Sequence, residues 1–69
     1  MISGKTTLIA HIGYPTHSFK APMIYNPHFE KAGIDAVVVP MGCQAADYPE
    51  FLRLVFRLSN IRGALITMP

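Results

Sequence analysis

The sequence has one cysteine, Cys43, which excludes an internal disulfide and with it the small secreted scaffold stapled by bridges. It has no tryptophan, only 14% charged residues, and no run of Lys or Arg. Its six basic residues are scattered without interleaved aromatics, so nucleic-acid binding is not expected despite a net charge of +2. No apolar run approaches the ~20 residues of a bilayer span, so no membrane partner is expected. Nothing ahead of the first apolar run resembles a charged and then hydrophobic leader, and a cytoplasmic setting is the expectation. Internal repeats, low-complexity tracts and Gly/Ser linkers are absent too, which leaves one continuous folded unit.

What is there is apolar. Half of the 69 residues are hydrophobic, yet a domain of this size buries only about 60% of the surface that its unfolded chain exposes. Some of that apolar surface is expected to lie against further protein.

The chain reads as alternating strands and helices. "TLIAHI", Thr7 to Ile12, is short and β-prone and is stopped by Gly13, as a buried strand would be. Pro22 suits the first turn of a helix that runs to Gly33, with Ile24, Phe29 and Ala32 inward and Pro27 as a kink or a limit. Asp35 to Met41, "DAVVVPM", lacks polar alternation and suits a strand covered on both faces, ended by Pro40. Asp47 and Glu50 have the D-x-x-E spacing of a capping box. The helix it opens carries Phe51, Leu54, Val55 and Leu58 at i, i+3, i+4, i+7, with Arg53 and Arg57 outward and Asn60 and Gly63 near its end. Gly63 to Met68 is the third strand. The β-α-β-α-β order implies a mainly parallel three-stranded α/β sheet, whose ligands collect at the carboxyl ends of the strands.

Several motifs are explained without chemistry. "SGKTT", Ser3 to Thr7, ends like a phosphate-binding loop but is followed by a strand instead of the helix that such a loop must open. His11, His17 and His28 lack metal-ligand spacing, so no metal site is expected; His11 suits a satisfied strand position and His28 a surface one. Cys43 suits a small buried thiol, there being no base beside it in sequence. Ser18, Lys20 and Thr67 differ. Two hydroxyls and one positive charge at a strand-to-helix loop could hold a small anionic polyol. The plainer account is a turn in which Thr16 and Ser18 cap the next helix and Lys20 points to water.

In order, "GYPTHSFKAPMIYN", "FEKAGIDAVVVP" and "IRGALITMP" resemble the N-terminal substrate-binding part of shikimate dehydrogenases and quinate/shikimate dehydrogenases, over nearly the whole chain. The resemblance implies that Ser18 binds the substrate carboxylate and Thr67 a ring hydroxyl. The family's second serine is replaced by Lys20, and Pro22 falls one residue late; either the loop has an insertion or Lys20 meets the carboxylate itself. Leu65 stands where the family usually has Asn. The substrate implied is a hydroxylated cyclic carboxylate, shikimate or quinate. The family's proton-transferring lysine and aspartate and its glycine-rich NADP or NAD domain would all lie beyond Pro69. Residues 1–69 are thus expected to form a partial substrate-binding domain that binds no cofactor and is inactive alone. The rival expectation is a small stand-alone binding or interaction module, without catalysis, that uses an exposed sheet edge to join a partner or itself.

Overall fold

A computed structural model describes residues 2–66 of the chain. The order is β1 (Thr7–Gly13), α1 (Ala21–Ala32), β2 (Ala36–Gly42), a 3-10 turn (Ala45–Asp47), α2 (Tyr48–Val55) and β3 (Ile61–Ile66). The three strands form one parallel sheet in the order β2-β1-β3. This is the α/β alternation expected. β1 lies at the centre because each helical crossover returns the chain to one side of it.

Side-chain alternation divides β1 between two layers. Ala10 and Ile12, fully buried, join Cys43, Val55 and Ile61 in the core, with Leu8 and Met41 beside them. α2 covers this face through Tyr48, Phe51, Leu52 and Val55. The expected stripe is corrected here. Leu54 and Leu58 are more than half exposed, and the helix stops at Val55 before reaching Leu58. Observed and expected faces share Phe51 and Val55 and the same period, so apolar spacing alone does not choose between them.

α1 lies against β2 with no buried residue. Ile24 is 63% exposed, Ala32 is exposed and Phe29 is half-buried, so the expected inward face fails at two of its three positions. The residue that faces the strand is Asn26. Its side-chain amide donates to the Val38 carbonyl at 3.1 Å, and its Oδ1 accepts from the Val38 N–H at 2.7 Å. A polar residue is needed there because β2 is an edge strand with backbone groups to satisfy.

Two prolines also behave differently from expectation. Of the two outcomes expected at Pro27, a kink or a limit, the limit is not found: Pro27 lies inside α1 at an exposed position, and the donor it lacks is the one the Met23 carbonyl would otherwise receive. Pro40 does not end β2. It shares with Val38 the side of the strand turned away from β1, where no ladder donor is required. β2 is buried at Val38 and only half-buried at Val37 and Val39, a thinner cover than its composition suggests.

Gly33 stops α1 as expected. It has φ 73°, its N–H donates to the Glu30 carbonyl, and the Ile34 N–H donates to the Phe29 carbonyl, the paired bonds of a left-handed terminator. The capping box is not formed. Asp47 has φ −98° and ψ −5° and no side-chain cap bond, because the chain enters α2 through a 3-10 turn instead of an extended residue. β3 begins at Ile61, two residues before the expected start.

Candidate functional site

β1 and β2 end side by side, Gly13 opposite Gly42, and the Cys43 N–H donates to the Gly13 carbonyl at 2.9 Å. β3 reaches Ile66 opposite Ile12. All three carboxyl ends therefore meet at one edge of the sheet, where a parallel α/β sheet places its ligands. The loop after β1 leaves this edge through a cis Tyr14–Pro15 bond, turns at His17 and Ser18, and enters α1 at Lys20.

The turn is closed by the Phe19 N–H on the Thr16 carbonyl at 2.9 Å, and the Lys20 carbonyl accepts from Met23 and Ile24 at 3.0 and 3.1 Å. Neither Thr16 nor Ser18 caps α1, which has no side-chain cap bond. Ser18 and Lys20 are exposed on either side of half-buried Phe19. Thr67 lies outside the described residues.

Beside the loop is an open pocket of about 680 Å³, formed by Tyr14, Thr16 and His17 on one side and Gly42, Cys43 and Asp47 on the other. A Cβ on Gly42 would stand 3.4 Å from the Thr16 methyl, so glycine allows the two loops to approach. Cys43 is buried at the pocket floor, its thiol directed to the Gln44 carbonyl at 3.6 Å. Burial pushes this thiol above its ordinary pKa, and the charge of Asp47 pushes it further. It is a protonated structural thiol, not an activated nucleophile.

The histidines separate. His11 is buried on β1, while His17 and His28 are exposed. Among the described residues no three His, Cys, Asp or Glu side chains gather as a metal site. Ser3 to Thr6 forms a turn that runs into β1, so no helix N-terminus faces it.

Reading the sequence places Ser18 and Lys20 on the loop that leaves β1, where the structure has them, but neither lines the pocket, whose walls at Tyr14, His17 and Asp47 it misses. It also misses the contact of Phe19 with His11, whose rings lie 4.1 Å apart at 17°. The β-α-β order itself puts the loops after β1 and β2 at one edge; which of their side chains meet there is set by the register.

No family model matches the chain. It is 38% identical over 63 residues to a shikimate dehydrogenase (NADP(+)) of Pelobacter propionicus, covering 91% of this chain and 22% of that protein. A shikimate dehydrogenase (NADP(+)) of Prochlorococcus marinus is 33% identical over 69 residues, covering 100% and 24%. Among solved structures, a crystal structure of shikimate dehydrogenase in complex with NADP+ superimposes with a TM-score of 0.91 at 28% identity, over 100% of this chain and 24% of that one. The chain spans about a quarter of the length of the curated relatives it matches.

Proposed function

We propose that this chain, similar over 91–100% of its length to shikimate dehydrogenases (NADP(+)), is the substrate-binding part of an NAD(P)-dependent oxidoreductase of a cyclic hydroxylated carboxylate, shikimate or quinate. The observation that supports this most is the position of Ser18 and Lys20: both are exposed, on the loop that leaves the central strand at the ligand edge.

The roles follow from the groups. The Ser18 hydroxyl donates a hydrogen bond to the substrate carboxylate. The Lys20 ammonium pairs with it as a point charge on a flexible stem, in place of a second hydroxyl. Thr67 holds a ring hydroxyl. The described residues do not suit a dinucleotide: the loop between β1 and α1, residues 14–20, carries no glycine, and prolines stand within it at Pro15 and in the first turn of α1 at Pro22. No step is therefore assigned through a cofactor on this chain, and hydride and proton transfer belong to other parts of the family's enzymes. The isolated chain binds without turnover. No described helix is long and apolar enough to cross a membrane.

Titrating the 15N-labelled chain with shikimate and with quinate tests the reading. The amide signals of Ser18 and Lys20 are expected to move at millimolar ligand; if both stay still with both ligands, the binding role fails.

The outer edge of β3 favours a second reading. Leu65 and Ile66 are exposed there, and β3 pairs only with β1 among the described residues. A module that self-associates through this edge would sediment as a dimer, and a concentration-independent monomer would dismiss it.

A further inference from the structure

Ser18 and Lys20 need a fixed separation to hold one carboxylate, yet both are exposed and neither side chain makes a cap bond to α1. Their turn is closed by one backbone bond, from Phe19 to Thr16. Phe19, the residue between them, is half-buried, and its ring stacks on His11 with centroids 4.1 Å apart and planes inclined by 17°. Near-parallel rings at this distance are in direct stacking contact. His11 is a firm base. It is 7% exposed, belongs to the central strand, and lies between Pro40 on one neighbour and Leu65 on the other.

By alternation, His11 faces away from the layer that Ala10 and Ile12 share with α2. Phe19 thus connects the loop to the face of the sheet opposite α2. The contact spans eight positions and joins the strand to the polar end of its own outgoing loop.

Resting on the binding role proposed above, we infer that Phe19 is a positioning residue, anchored on His11, that fixes Ser18 and Lys20 relative to each other for the ligand carboxylate. The anchor reduces the conformational freedom that the loop would lose on binding. Its removal leaves both polar side chains intact and lowers affinity by about 2- to 10-fold, the range that a lost aromatic pair supplies.

The test compares the full chain with Phe19→Ala, Phe19→Tyr and His11→Val by NMR. In the ligand-free chain, the 1H–15N heteronuclear NOE of Ser18 and Lys20 is expected to fall in Phe19→Ala while that of Ala10 and Ile12 holds. Phe19→Tyr keeps the ring and should retain the wild-type values. The His11 ring protons should lose their upfield ring-current shift in Phe19→Ala. If Phe19→Ala unfolds, His11→Val removes the contact from the strand side and must loosen the same two amides. Unchanged NOE values at Ser18 and Lys20 with the stack gone overturn the inference. A wild-type chain that ignores shikimate and quinate instead overturns the binding role, and the ligand-free NOE comparison still decides whether Phe19 fixes the loop.

Discussion

Thr6 and Asp35, each one residue ahead of a strand, are joined by a 2.7 Å hydrogen bond from the threonine hydroxyl to the carboxylate. The same hydroxyl accepts from the Ser3 N–H at 2.9 Å, and the Asn60 amide reaches the Thr6 carbonyl at 3.4 Å. Asn60 stands one residue ahead of β3. The amino ends of all three strands are therefore tied at Thr6, opposite the edge that carries the candidate site.

Thr6 is 3% exposed. Thr6→Val keeps its shape and removes both hydroxyl bonds, and it should lower stability by about 1–3 kcal/mol, with Thr6→Ser closer to wild type. Urea unfolding at constant slope measures this. Equal midpoints for Thr6→Val and wild type would count against the tie.

The face of α2 yields a second prediction. Val55→Ala removes two buried methyl groups and should cost about 1–3 kcal/mol, whereas Leu54→Ala should change stability by no more than about 0.5 kcal/mol. Thermal or urea unfolding of the pair decides it. A larger loss from Leu54→Ala would restore the stripe of Phe51, Leu54, Val55 and Leu58.

Cys43 makes the molecule sensitive to high pH. Its folded pKa is raised, by burial first and Asp47 second, so the folded state keeps a proton that the unfolded thiol releases. This stability is fully present below the unfolded pKa and is lost as pH rises through the folded one. Cys43→Ser should flatten that alkaline decline. Alkylation by iodoacetamide should show a midpoint above that of a free cysteine peptide, lowered by Asp47→Asn but still above it, because burial remains. A midpoint at the peptide value would contradict the buried assignment.

If Lys20 pairs with the ligand carboxylate, salt must weaken it. The screening length falls from about 10 Å at 0.1 M to about 3 Å at 1 M, and an exposed pair contributes about 0.2–1 kcal/mol. Shikimate affinity of the wild type should fall across that range, while Lys20→Ser starts weaker and responds less. Parallel salt curves would remove Lys20 from the carboxylate site.

How much of this is legible in the sequence depends on what decides each feature. The β-α-β-α-β order is legible because Gly13, Gly33 and the β-branched run at Val37 to Val39 mark boundaries locally. The inward faces of the helices are not, since α2 offers hydrophobic residues at both 52 and 54 and only the sheet selects between them. Asn26 is hidden for a stronger reason: a helix facing an edge strand needs an amide there, and a search for apolar spacing passes over it. At the site, the loop residues Ser18 and Lys20 are legible from local composition and resemblance. The pocket beside them is less so: Gly42, Cys43 and Asp47 meet Tyr14, Thr16 and His17 through strand register.

The amide of Asn26 and the ring of Pro40 have an effect beyond seating α1 on β2. Together they close one flank of the sheet, since Val38 is already engaged and Pro40 has no N–H to offer. Among the described residues the sheet is then open to a further strand past β3, which makes it a template with one direction. If two copies pair there, as the second reading has it, the pair uses up that edge, and strand addition ends at two molecules instead of growing into a fibre.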